Sequence, residues 1–171
     1  MRGVMRHPVP AKLLVHIGDI TVSFALLASS IQSLIFSLIR EHQTIGQIIT
    51  AELAFKNLRA LAISLYKERH GEDADFSALR DLMKRAAEAE ETRNQITHSL
   101  WGAGHTADTI TRIKTTAKEK RGIHLHFEQV GGNDLAKVAQ ELKTLAAEIQ
   151  AFGMHLLEQR KAINNPSQKF W

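Results

Sequence analysis

The sequence predicts an all-α protein, an up-and-down antiparallel four-helix bundle with a β-hairpin inserted between the third and fourth helices. Three observations carry this expectation. Apolar residues recur at helical spacing over most of the chain. Only three prolines occur, two of them in the first ten residues. One stretch, Ile123 to Phe127, alternates apolar and polar side chains, the period of a strand. With 171 residues, 44% hydrophobic and 6% aromatic, the chain can bury one core, and its composition suits helices packed on helices.

Residues 1–11, with Pro8 and Pro10, read as a loose lead-in to a single domain over 12–163. The first helix runs from about Leu13 to Arg40. From Thr21 to Ile39 it carries no charge and imitates a membrane span. Its polar residues Asp19, Ser23, Ser30, Ser33, Ser37 and Arg40 nevertheless fall near one stripe, opposite Phe24, Leu27, Ile31, Leu34 and Leu38, the pattern of a bundle helix. His16 and Asp19 also interrupt what would be the apolar core of a signal peptide. The expectation is a cytoplasmic protein with no membrane segment.

A polar break at Glu41-His42-Gln43-Thr44 leads to a second helix with the apolar stripe Ile48, Phe55, Leu58, Ala62 and Leu65, stopped by Gly71. Asp73 or Asp75 caps a third helix that buries Phe76, Leu79, Met83, Ala86, Ile96 and Leu100. Helical periodicity stops at Trp101-Gly102-Ala103-Gly104. Thr109 to Thr116 is rich in β-branched residues, Lys118 to Gly122 makes a polar turn, and Ile123, Leu125 and Phe127 alternate with His124, His126 and Glu128. This predicts a hairpin over about 109–130. Gly131-Gly132-Asn133-Asp134 ends the strand and caps a fourth helix with the seam Leu135, Val138, Leu142, Leu145, Ile149, Phe152 and Leu156. Residues 164–171 form a polar tail. The first helix is apolar around more of its circumference than one core needs, which points to a homodimer face.

Composition removes several chemistries. There is no cysteine, hence no disulfide, thiolate nucleophile or sulfur-based zinc site. A formal charge of +4 permits a polyanionic partner without requiring one. No Glu-x-x-His pair supports a di-metal bundle. His124-x-His126 could hold a metal but lacks an obvious third ligand, so an exposed face is the simpler reading. Gly102-Ala103-Gly104-His105-Thr106-Ala107 imitates a dinucleotide fingerprint but follows a helix, not a strand. No cofactor and no metal are expected.

Chemistry concentrates in Arg93-Asn94-Gln95-Ile96-Thr97-His98. Glu90, Asn94 and His98 recur every four residues and share one helical face, with Arg93 beside it. An imidazole can move a proton near neutral pH, and a guanidinium can grip phosphate oxygens. Arg-Asn-x-x-x-His late in a bundle helix resembles the signature of the HEPN superfamily, small helical-bundle domains of which many are metal-independent endoribonucleases of toxin–antitoxin, antiviral and RNA-processing systems. Only this motif is specific, and the likeness covers the rest of the bundle loosely.

The resemblance implies Arg93, Asn94 and His98 as catalytic residues, with Glu90 supporting. His98 would deprotonate a ribose 2′-hydroxyl, Arg93 would stabilise the transition state, and Asn94 would orient substrate or histidine. One motif supplies one histidine while cleavage needs two acid–base groups, so a homodimer is expected to bring two motifs together. Some toxins of the superfamily carry a modified tyrosine two residues after the histidine. Here that position is Leu100, and such regulation is not implied. Arg112, Lys114, Lys118, Lys120 and Arg121 make the hairpin basic and could guide RNA, though a solvated turn explains them equally. RNA, a second copy and an antitoxin are the partners implied. The alternative is a non-catalytic RNA- or nucleotide-binding module, or a dimeric scaffold.

Overall fold

The apolar stretch after the two prolines forms α1 (Ala11–Ile39), one side of which supplies much of the core. A computed structural model of the chain describes residues 7–39, 43–118 and 122–164. Further along are α2 (Gln43–Thr50), α3 (Phe55–His70) and α4 (Ala74–Thr97). The sheet β1 (Leu100–Ala103), β2 (Thr109–Lys118) and β3 (Gly122–Gly131) follows, and α5 (Gly132–Asn164) closes the order. α1 packs chiefly against α5, with α3 and α4 completing the bundle. Ile20, Leu27, Ile31 and Ile35 meet a seam whose Leu135, Leu142, Leu145, Ile149 and Leu156 are buried on α5. Each such side chain stabilises the fold by about 1.5–3 kcal/mol.

Part of the polar stripe of α1 is turned inward, which the sequence pattern did not indicate, while Ser33 is exposed. Ser23 and Ser30 are buried. Ser30 Oγ donates to its own backbone at Leu26 O (3.0 Å), and Ser23 Oγ donates to Asp19 (3.3 Å). Asp19 in turn accepts from Lys143 Nζ of α5 at 2.8 Å. That hydrogen bond holds its carboxyl below the usual carboxylate range. Small side chains that bond locally let two helices approach without leaving polar atoms unpaired. The outward side carries Val15 and Val22, each 69% exposed, with Leu26 at 45%. α1 is long and apolar enough to cross a membrane, yet its other face is packed against the bundle.

The four-helix expectation is overturned. Among the described residues there are five helices, and the strands follow the fourth and precede the fifth. The expected second helix is two, α2 and α3, separated by 51–54. Ile48 lies on the exposed side instead of the expected stripe. No proline or glycine marks this break. α2 is seated closely on α1, so that a Cβ added at Gly46 would stand 2.3 Å from the Phe36 ring. Thr50 Oγ1 then caps the carbonyl of Gly46 at 2.9 Å.

The expected hairpin is present as β2 and β3, but it is the larger part of a three-stranded antiparallel sheet in the order β1-β2-β3. Leu100, expected on the buried face of a helix, starts β1 and is 69% exposed. The sheet joins the core through buried Ile110 and half-buried Trp101 and Val130. Of the expected tail (164–171), Asn164 is the last residue of α5, while 165–171 and the first six residues of the lead-in lie outside the described residues, as do Lys120 and Arg121.

α4 starts as expected. Asp73 accepts from Phe76 N at 2.9 Å and from the buried Tyr66 hydroxyl at 2.8 and 3.0 Å. Tyr66 foremost keeps the Asp73 carboxyl below its ordinary range, while burial and Asp73 push the phenol up. This joint fixes α4 relative to α3, and so sets where its far end lies.

Candidate active site

α4 ends at Thr97, and His98 is its C-cap, its N–H bonded to Asn94 O at 3.0 Å. Two residues on, the chain becomes β1, and Trp101 Nε1 returns to the carbonyl of Ile96 at 3.0 Å. That bond satisfies one of the otherwise unpaired carbonyls of the last turn and pins the sheet to the helix end. Arg112 of β2 makes the second tie, with Nη1 donating to Gln95 Oε1 at 3.2 Å and Nη2 paired with Glu128 of β3.

Helix end and sheet enclose an open cleft of about 510 Å³. Glu90, Asn94 and His98 line its helical wall with Ala87, Glu91, Gln95 and Ser99, while Arg112 and Lys114 line the wall from the sheet. The structure therefore brings together three of the four motif residues and two of the basic hairpin residues. The His98 side chain is exposed and makes no hydrogen bond to the described residues. Lys114 is likewise exposed, with no acidic partner among them. The Lys118 side chain falls outside the described residues.

Arg93 is on the flank of this cleft, not in its lining. It follows Leu79, Met83 and Ala86 along the core-facing seam of α4, so its guanidinium turns toward α1. There it lies over the Phe24 ring, 4.7 Å from the centroid, a stacking worth about 0.5–2 kcal/mol. Its Nη1 donates to Asn94 Oδ1 at 2.8 Å, and its buried Nε has no partner. With Oδ1 so engaged, Asn94 has its Nδ2 amide left to offer as a donor. Glu90 is not free to act either. Its carboxylate accepts from Arg59 Nη2 of α3 at 3.3 Å, and both side chains are largely buried. With Glu90 answered by Arg59 and Arg112 by Glu128, Glu91 and Lys114 are the charges the cleft presents to solvent.

No protein-family model, curated protein or solved structure matches this chain. The reading of the site therefore rests on its own geometry and on the motif. Among the described residues no three His, Asp or Glu side chains are grouped to hold a metal ion, and His124 and His126 gain no third ligand.

Four residues that organise the cleft were not singled out as site residues from the sequence. Phe24 and Arg59 are far from the motif along the chain, Gln95 occupies one of its unspecified positions, and Trp101 follows it. Trp101 alone offered a hint, since an indole N–H directly after a helix can reach back to the last carbonyls.

Proposed function

We propose that the chain is an HEPN-like, metal-independent endoribonuclease that cuts RNA by attack of a ribose 2′-hydroxyl on the adjoining phosphorus. The observation that carries this reading is the cleft in which the His98 imidazole and the Asn94 amide face Lys114 across an opening accessible to a chain substrate. An exposed imidazole can take the hydroxyl proton. Lys114 and the Asn94 Nδ2 donor are placed to bind the phosphate as negative charge builds on it. Arg93 acts through Asn94, whose Oδ1 it occupies. Homodimerisation belongs to the same reading, through the outward face of α1 that carries Val15, Val22 and Leu26.

The test is cleavage of single-stranded RNA in excess chelator. His98→Ala should lower the rate by about 10²–10⁴ while RNA binding is kept. Lys114→Ala should weaken binding and reduce the slope of log affinity against log salt by about 0.7, the share of one phosphate contact on a single strand. Products should end in a 2′,3′-cyclic phosphate, and a 2′-deoxy sugar at the cut position should block cleavage. Wild-type protein that leaves RNA intact, or a His98→Ala variant that cuts at the wild-type rate, would overturn the proposal. Salt-sensitive binding without cleavage would leave an RNA-binding module in its place.

A further inference from the structure

Attack by a neighbouring hydroxyl moves two protons, one off the 2′-oxygen and one onto the departing 5′-oxygen, so two acid–base groups are required. His98 supplies one. We infer that His126 of the same chain supplies the other, an assignment that rests on the nuclease reading of the cleft.

The sheet register carries the argument. His126 on β3 is paired directly with Lys114 on β2, and directly paired side chains project to the same face with their Cβ atoms about 5 Å apart. Lys114 is itself a wall of the cleft that holds His98. Arg112, two residues before Lys114 and hence on the same face, reaches Gln95 of α4. That contact establishes which side of the sheet looks at the helix. His126 is on that side, one strand further out, and its side chain is exposed.

β1 is paired from Leu100, which stands opposite Ile113. Ser99, one residue earlier and next to His98, precedes the paired residues and lines the cleft together with Lys114. From β1 across β2 to His126 on β3 is two strand spacings, about 10 Å. Imidazoles reaching inward from the helix end and from β3 would hold a phosphodiester between them, beside the Lys114 ammonium.

On the sheet, the charged and titratable groups beside His126 are Lys114 across the strands, Arg112 on the diagonal, and His124 and Glu128 along its own strand; from α4, Glu91 and His98 line the cleft that Lys114 borders. Glu128 is already paired with Arg112, and the His126 ring makes no hydrogen bond among the described residues.

In the step, His98 accepts the 2′-proton as O2′ bonds to phosphorus. The P–O5′ bond breaks, and protonated His126 gives its proton to O5′. A 2′,3′-cyclic phosphate and a 5′-hydroxyl result. The two histidines end with their protonation states exchanged, and proton exchange with water restores them. Nothing beyond RNA is consumed.

The experiment compares wild type, His98→Ala, His126→Gln and His124→Gln. His126→Gln should cut normal RNA about 10²–10⁴ more slowly and should lose the alkaline limb of the pH–rate profile, because the group that must stay protonated is gone. RNA with a bridging 5′-sulfur at the cut site releases a thiolate that needs no proton. That substrate should restore the rate of His126→Gln but not of His98→Ala. His124→Gln should behave as wild type, and mixing His98→Ala with His126→Gln should recover no activity.

If wild type cuts RNA but His126→Gln cuts equally well, the assignment falls and the nuclease reading stands. The same holds if the bridging sulfur fails to rescue it or His124→Gln carries the loss. Recovery on mixing would place the second histidine in another copy and also overturn the assignment. Wild type inert toward RNA would remove the nuclease reading, and the role of His126 with it.

Discussion

The turn between β1 and β2 is where one methyl group should do the most damage to the cleft. A Cβ built on Gly104 would lie 2.0 Å from the carbonyl oxygen of Thr109 and 2.3 Å from its carbonyl carbon. A tolerable carbon–oxygen contact is about 3.3 Å or more, so the backbones must separate by over an ångström. The obstacle is main chain, and no rotamer change can relieve it. The turn is held by Thr106 N to Thr109 Oγ1 at 3.1 Å and Thr109 N to Thr106 O at 3.2 Å, and both bonds stretch with it. Overpacking of this kind costs about 1–3 kcal/mol, and each hydrogen bond lost adds about 1 kcal/mol. Gly104→Ala should therefore destabilise the protein by about 2–4 kcal/mol, lowering Tm by roughly 2–4 °C for each kcal/mol in a chain of this size. Urea unfolding followed by circular dichroism measures it, with Gly18→Ala as the contrast. Gly18 is within α1 and its added Cβ meets nothing within 4 Å, so that change should stabilise by about 0.5–1 kcal/mol. A Gly104→Ala protein as stable as wild type would refute the reasoning.

Two further predictions concern stability at low pH and assembly. Arg85 bonds both oxygens of Glu148 between α4 and α5, and chiefly for that reason the Glu148 carboxyl is held below its ordinary value of 4.5. Its contribution is present above the unfolded-chain value and is lost as pH falls through the lower folded one, so Glu148→Gln should flatten the acid limb of a stability–pH curve. A limb unchanged in slope would show that the pair is too well solvated to matter. Val22→Lys, on the outward face of α1, should convert a sedimenting dimer to monomer with helix content unchanged, and wild type that sediments as a monomer would remove the dimer from the proposal.

Much of the local structure was legible in the sequence because its causes are local. The α5 seam, the Asp73 cap, the stop at Gly71 and the alternation of β3 each follow from neighbours within a few residues, where backbone geometry decides. So does the shared face of Glu90, Asn94 and His98, which needs only the pitch of a helix. The remaining features arise from contacts between distant parts of the chain. The break between α2 and α3 has no marker in 51–54 themselves, and the close seat of Gly46 on Phe36 of α1 joins residues ten apart in sequence. The four residues of β1 are too few to show a period, and they are strand because β2 offers them a partner. Glu90 was expected to support catalysis, but Arg59, thirty-one residues earlier, engages it. Arg93 turns to Phe24 because its place on the seam faces α1. The alternation at His124 and His126 was visible from the start. That both lie on the side of the sheet turned toward α4 was decided by the register of β2 against β3 and by the Arg112 tie to α4, neither of which any stretch of sequence encodes by itself.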